Sequence, residues 1–452
     1  MEKKRIPIDT VLASRDATLN SDGLLVNCYV ESSPLGKMVV KRPGVQAYQQ
    51  YTAGTGQGAF NFNGAPLYII GDTLQPTGHA LVPTVAGQTF TFSVLQQQGT
   101  QVAKLFFKST TDAYQWDGTT LTTITHNANY PALTVPGCVT LDTSTYVMTP
   151  GGLIYGSALN DPTTWTALNF IGADDAGDNP VVLARQLAYI VALRERSVQF
   201  FYDAGNAAPG SPLSDVPSAS QNIGCTNANS VLSIDNNLFF IAKSNSYGHT
   251  VVMMNGFDTT KVSNVYIDRL LDADGLSLVN AFTFKVAGHS WYALTLGTLG
   301  ITIAYDVVEQ EWCQTTAPTG PYSFATYDST SVLLLHATNG TVVRVLPTLY
   351  QDIGINIPVT IRTYLLDFSS MKQKFWRRWE FVGDATNTTV GLSWSDNDYQ
   401  NFTTPTSIPM GVDRVQTTRL GASRRRAWEF THSDNTPFRM LGFEVDFDEG
   451  VR

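Results

Sequence analysis

Three glutamates offer the most serious route to catalysis: Glu195, Glu309 and Glu311. Two carboxylates facing across a sugar cleft would cleave a glycosidic bond, one donating a proton while the other attacks or activates water. Glu309 and Glu311 flank a turn in Tyr305-Asp306-Val307-Val308-Glu309-Gln310-Glu311-Trp312, where exposed acids are ordinary. Asp174, Asp175 and Asp178, and the run Asp272-Ala273-Asp274-Gly275, could offer hard oxygen ligands to Ca²⁺. No glutamate follows at the closing position of a calcium loop, and solvated acidic turns are the better account. His79, His126, His249, His289, His336 and His432 are scattered, with no HExxH, and no GxSxG occurs. Gly54-Thr55-Gly56-Gln57-Gly58 lacks the lysine of a phosphate loop and reads as a flexible strand connector. The expectation is a protein that is not an enzyme and uses no cofactor or metal.

Two basic segments remain. Lys372-Gln373-Lys374-Phe375-Trp376-Arg377-Arg378-Trp379 and Arg424-Arg425-Arg426 could grip DNA phosphates, with Trp376 or Trp428 stacking on bases. Arg and Trp also mark the centres of protein interfaces, and an acidic neighbour would complement them. The interface reading outweighs DNA binding. It names Lys372, Lys374, Trp376, Arg377, Arg378, Arg424, Arg425 and Arg426 as candidate inter-subunit contacts.

Charge is scarce elsewhere. Charged residues make up 15% of the 452, against a usual share of about 25%. The net charge is −9, which argues against a strongly DNA-binding domain. Residues 43–350 hold 10 Lys+Arg against 20 Asp+Glu, whereas 351–452 hold 12 against 13. Cys28, Cys138, Cys225 and Cys313 lie far apart and read as reduced, buried thiols. Met1-Glu2-Lys3-Lys4-Arg5 leads into Ile6-Pro7-Ile8-Asp9 rather than an apolar run. The expectation is synthesis in the cytoplasm, without a signal peptide or membrane insertion.

The elements that must position these residues are strands. Short apolar runs such as Leu67-Tyr68-Ile69-Ile70, Lys104-Leu105-Phe106-Phe107 and Val332-Leu333-Leu334-Leu335 are bounded by Gly, Asn, Asp and Pro. One helix is expected at Tyr266–Asp272. A looser repeat closes on an aromatic with Asp or Asn and Gly, as in Trp116-Asp117-Gly118 and Met254-Asn255-Gly256-Phe257. Small sheets that cannot bury both faces alone are buried by radial stacking, which predicts a β-propeller. A chain of β-sandwiches fits the strand content equally but the repeat less well. The expected organisation is all-β. An N-terminal arm or edge strands at 1–44 precede a β-propeller at 45–350 and a C-terminal β-sandwich-like domain at 351–452.

The middle of the chain resembles a known family. Ser157-Ala158-Leu159-Asn160-Asp161-Pro162-Thr163-Thr164-Trp165 is similar to an N-D-P-T-x-W turn that leads to an acidic loop, here Ala173-Asp174-Asp175-Ala176-Gly177-Asp178. Arg194-Glu195-Arg196-Ser197-Val198-Gln199-Phe200-Phe201-Tyr202, Asn222-Ile223-Gly224-Cys225 and Gly288-His289-Ser290-Trp291-Tyr292 follow in the same order. The family is the nozzle (tail hub, or packaged-DNA stabilisation) protein of P22-like short-tailed bacteriophages. Roughly residues 150–320 carry the likeness.

The resemblance implies a structural virion protein of the phage tail, made in the host cytoplasm. It implies a homohexameric ring below the portal and adaptor proteins that retains packaged DNA and conducts double-stranded DNA during ejection. It also implies tail spikes or fibres and a needle or plug as partners. Each phosphate neutralised by Lys or Arg would add affinity and therefore friction, and an acidic propeller suits a conduit. The alternative is a propeller that binds or cleaves glycans for host attachment.

Overall fold

Phe106 shows why the apolar runs are continuous rather than alternating. Its neighbours Leu105 and Phe107 pack with Phe62, Leu67 and Ile69, whereas Phe106 itself packs with Tyr130, Val147 and Trp165. Ile190 and Ala192 likewise face one cluster while Val191 and Leu193 face another. Successive side chains point to opposite faces of a strand, and here each face meets another sheet. A sheet buried on both sides needs no polar face.

The computed structural model describes residues 2–450 apart from 9–11, 15–21, 35, 98, 100, 125–127, 174–176, 245–246 and 318–319. The protein is nearly all β. Among the described residues, seven small antiparallel sheets follow one another around a common axis. Blade 1 spans Gly56–Phe62 to His79–Ala80, blade 2 spans Thr91–Leu95 to Leu121–Thr123, and blade 3 spans Val139–Leu141 to Asp161–Gly172. Blade 4 runs from Pro180–Gln186 to Leu213–Asp215, blade 5 from Gly224–Cys225 to Asp258–Lys261, and blade 6 from Val279–Val286 to Glu311–Thr315. Blade 7 takes Tyr322–Tyr327, Val332–His336 and Thr341–Leu346, and completes itself with Gly44–Gln50 from before blade 1. Each seam between blades holds its own apolar cluster, from Tyr68, Leu333 and Val342 between blades 7 and 1 to Tyr292 and Trp312 between blades 5 and 6. The helix Val265–Asp274 packs into that last seam, capped by Asn264 and stopped by Gly275 at φ 69°.

The repeat-closing aromatics sit in these seams. Trp312 donates Nε1 to the Val262 carbonyl of blade 5 at 2.8 Å. Trp165 of the N-D-P-T-x-W turn donates to Pro162 O at 2.9 Å and packs on Tyr130 between blades 2 and 3. Asp161 holds that turn by accepting from Thr163 N, Thr163 Oγ1 and Thr164 Oγ1.

A two-sheet sandwich sits over the seam between blades 6 and 7. One sheet orders Cys28–Ser33, Gly36–Lys41, Arg439–Glu449, Lys374–Gly383 and Gln416–Thr418, with Glu2–Pro7 beside Arg439–Glu449. The other orders Leu24–Val26, Val359–Arg362, Ala427–His432, Thr389–Ser395 and Thr406–Pro409, and it continues blade 6 through the parallel pair Val26↔Gln314. Trp379 stacks on Phe430, and Phe430 packs on Phe443, joining the two sheets. The same apolar cluster runs on into Phe282, Trp291, Tyr322 and Leu334 of blades 6 and 7. The sandwich therefore draws strands from both ends of the chain and shares its core with the propeller. Among the described residues, no helix is long and apolar enough to cross a membrane.

The ring closes on a buried node. Arg42 reaches Asp352 through Nη1–Oδ1 at 3.0 Å and Nη2–Oδ2 at 2.5 Å, and its Nε donates to Asn27 Oδ1 at 2.9 Å. Asp352 is 1% exposed. Removing its carboxylate strands the Arg42 cation, at a cost of about 3–5 kcal/mol. Asp352→Ala is expected to lower the unfolding free energy by that amount in urea. It should also speed amide exchange in Gly44–Gln50 before that in blades 2–4. Uniform exchange across all blades would contradict a closure role for the node.

Candidate functional site

The sequence-derived acids are spent on structure. Glu309 accepts from Ser32 N at 2.9 Å and Ser32 Oγ at 2.7 Å, and Glu311 pairs with Lys37 at 3.2 Å. Both tie blade 6 to the hairpin Cys28–Lys41. Partial burial pushes the Glu309 carboxyl up, but the two Ser32 hydrogen bonds outweigh it and hold the group below its ordinary range. It is an ionised tether, unsuited to donating a proton. Glu195 lies elsewhere, on the turn after Tyr189–Arg194, where it accepts from Asn179. The three glutamates face no common cleft.

Asp174 and Asp175 lie outside the described residues. Asp178 pairs with Arg194 at 3.0 Å and accepts from Arg196 N and Ser197 Oγ. Asp272 accepts from His249 Nδ1 at 2.7 Å, and Asp274 accepts from Thr298 N and Leu299 N. Among the described residues, no three His, Cys, Asp or Glu side chains are grouped to hold a metal ion. Gly56 and Gly58 belong to the innermost strand of blade 1, where a side chain at Gly58 would overlap the Phe92 ring. The thiols of Cys28, Cys138, Cys225 and Cys313 are unpaired and buried, and burial pushes all four upward. Such thiols are poor nucleophiles.

Two histidines are buried in opposite electrostatic settings. His289 lies 2.5 Å from Asp306, which raises its pKa chiefly through that hydrogen bond. His432 is pushed down to about 4 by burial and then by the Lys41 ammonium. Its Nε2 meets Thr388 and Thr436, while Nδ1 has no partner. His126 lies outside the described residues.

The basic segments divide, and three of the proposed contacts are corrected. Lys374, Trp376 and Arg426 are buried within the subunit and cannot touch a neighbour. Lys374 donates to the carbonyls of Ser370, Lys372 and Arg424. Arg426 is clamped by Asp396 through Nε at 2.7 Å and Nη2 at 2.8 Å. Its guanidinium lies 5.1 Å from Trp376, 4.8 Å from Trp394 and 5.0 Å from Trp428. Trp376 and Trp428 thus cage a cation and present no face to a base. The physical reason is period two broken by one bulge: in Lys374–Gly383, Lys374 and Trp376 turn inward, the register shifts between Trp376 and Arg378, and Trp379 and Phe381 then turn inward as well.

The other arginines are exposed or half-buried, but most are neutralised by their own chain. Arg377 pairs with Asp448 and Arg378 with Asp446, each at 2.9 Å, while Arg414 meets Glu380, also at 2.9 Å. Arg425 meets Asp398, Arg362 meets Glu429 and Arg439 meets Asp384. Sequence reading missed these acids, although Glu444-Val445-Asp446-Phe447-Asp448 places three on one strand face by alternation. What stays exposed is a small patch of Met371, Lys372, Phe375 and Arg424 around the buried Lys374.

A model of the family Phage_stabilise, described as Bacteriophage P22 Gp10, beta-propeller, matches residues 16–335. No curated protein matches the chain. Among solved structures, YCF48 bound to D1 peptide is similar at 15% identity and a TM-score of 0.40, over 68% of this chain and 98% of that one. A virginiamycin B lyase from Staphylococcus aureus with quinupristin aligns at 8% identity and a TM-score of 0.42, over 67% and 98%. The computationally designed Ika8 protein aligns at 10% identity and a TM-score of 0.37, over 75% and 100%. None of these three carries an argument about function.

Two outcomes follow from the geometry. Arg426→Lys loses the two-pronged grip on Asp396 and the flat stack on three rings. It should cost about 3 kcal/mol in chemical denaturation, without abolishing the fold. For His432, the unfolded chain takes up a proton near its ordinary value of 6.5, whereas the folded chain resists until about 4. Stability from this group is therefore present above about 6.5 and lost as pH falls toward 4, at about 1.4 kcal/mol per unit. His432→Gln should flatten that part of the stability–pH curve; an unchanged curve would refute the assignment.

Proposed function

The chain belongs to the Phage_stabilise family of Bacteriophage P22 Gp10, beta-propeller, and from that membership we propose that it is a non-enzymatic subunit of a short-tailed phage tail nozzle. In this reading, copies form a ring, six by the family resemblance, that retains packaged DNA and conducts it during ejection. The ring sits in the virion tail beneath an adaptor protein, with spikes or fibres and a needle or plug as further partners.

The observation that supports a conduit is the self-neutralisation of the arginines. Arg362, Arg377, Arg378, Arg414, Arg425, Arg426 and Arg439 all meet acids of the same chain. Residues 43–350 carry twice as many acids as bases. A surface of this kind offers phosphates few uncompensated cations, and counterion release, the main source of non-specific DNA affinity, is small. DNA can pass without being gripped.

The ring needs contacts, and the patch of Met371, Lys372, Phe375 and Arg424 combines exposed apolar area with cations. It would complement an acid-rich propeller edge of a neighbouring copy. Arg377, Arg378 and Arg425 are weaker candidates, since each already holds an acid of its own chain.

The double variant Lys372→Glu/Arg424→Glu tests the contact. With the adaptor present, native mass spectrometry should show rings for the wild-type chain and mostly monomers for the variant, with unchanged melting. Rings that survive the charge reversal would move the interface elsewhere. A strictly monomeric wild-type chain beside its upstream tail partners would refute the nozzle reading itself.

A further inference from the structure

Inner segments of the seven blades line a half-open axial cavity of about 350 Å³. That volume lies at the lower end of small-molecule sites, about 300–1,000 Å³. A DNA duplex, whose major groove alone is about 12 Å wide, does not fit. The cavity therefore has no part in conducting DNA.

Its wall is divided. On adjacent blades 7, 1 and 2, half-buried Phe324, Phe60 and Phe92 face the cavity, with the Phe60 and Phe92 rings stacked at 5.4 Å and 19°. On blade 6, Asn280 and Thr283 line it, with Asn229 from the segment entering the second strand of blade 5. Among the described residues, these three side chains have no hydrogen-bond partner; Asn280 and Thr283 are half-buried and Asn229 is exposed. Among the described residues, the single charged lining residue is Arg185, whose Nε and Nη1 already serve the carbonyls of Leu187 and Thr140. The wall thus has an aromatic sector, an amide and hydroxyl sector with unused capacity, and no acid.

We propose that this cavity binds a neutral saccharide unit. A pyranose has C–H faces that pack on aromatic rings and a rim of hydroxyls, each both donor and acceptor. An amide side chain offers both roles and can answer such a rim. A wholly apolar ligand would leave Asn229 and Asn280 unpaired, at a cost of desolvation. An anion would find no unspent cation beyond one edge of Arg185. The inference is independent of the nozzle reading, because the site is complete within one subunit.

Saturation-transfer NMR on the intact chain tests it, with N-acetylglucosamine, rhamnose, galactose, glucuronate and an uncharged tripeptide as probes at millimolar concentration. At least one neutral sugar should receive saturation at its ring protons. Asn229→Ala and Asn280→Ala remove amides that hold nothing in the fold. Each should weaken that sugar about tenfold with unchanged melting, the scale of one well-made neutral hydrogen bond. Thr283→Trp should fill the cavity and abolish the signal. Transfer to glucuronate or the tripeptide alone, transfer that survives both Asn variants, or none from any neutral sugar would overturn the proposal. Ring assembly is not needed for any of these readings, and its failure leaves the sugar test intact.

Discussion

The fold depends on one half-buried cation, Arg42, that ties distant parts of the chain together. All five N–H groups of Arg42 are spent. Nε goes to Asn27, Nη1 to Asp352 and Pro43 O, and Nη2 to Asp352 and Thr316 O. Asn27 completes the set by donating to Thr316 Oγ1 and Pro358 O and accepting from Thr316 N. Arg42 and Asp352 are 310 residues apart in sequence. A buried charge is tolerable only when every donor and acceptor is matched, and here the matching partners come from the N-terminal strands, the exit of blade 6, the edge of blade 7 and the entry to the sandwich. Closing the ring and docking the sandwich are one event at this point.

That coupling explains the placing of Gly44–Gln50. A propeller built from seven consecutive blades leaves two ends that must be joined. Taking the outer strand of blade 7 from before blade 1 makes the join a row of backbone hydrogen bonds rather than side-chain contact alone. The strands just upstream, Cys28–Ser33 and Gly36–Lys41, then lie against blade 6, where Glu309 and Glu311 hold them. The acids that looked most like catalytic partners are the outer clamp of the same closure.

Much of this was legible in the sequence. Strand runs such as Lys104–Lys108 and Val332–His336, and the seam position of Trp116 and Trp312, follow from apolar runs bounded by turns and from the aromatic that ends each repeat. The helix predicted at Tyr266–Asp272 forms over Val265–Asp274, since Tyr266, Ile267, Leu270 and Leu271 share a buried face. What was not legible came from distance in sequence. Nothing near Lys37 announces Glu311, and nothing near Arg426 announces Asp396. A basic triplet read one residue at a time looks like a positive surface. The bend at Arg424 and Arg425, between Ala422–Ser423 and Ala427–His432, leaves Arg424 outside and brings Arg426 inward among three tryptophans, and that split depends on the local backbone path rather than composition.

Those pairings also decide how a ring of such subunits could treat DNA. The hole of each propeller is too small for a duplex, and on the proposed reading DNA passes between copies, along outer surfaces. Exposed ion pairs add little stability individually, about 0–1 kcal/mol. The many pairs on the sandwich surface are therefore poorly explained as a device for holding the fold. Their larger effect is on the field: an arginine already facing Asp448 or Glu380 presents a dipole to a passing phosphate rather than a monopole, and its attraction falls off faster with distance. A protein that must be strongly basic locally to make its core, as Arg426 and Lys374 do, can in this way remain weakly attractive to a polyanion outside.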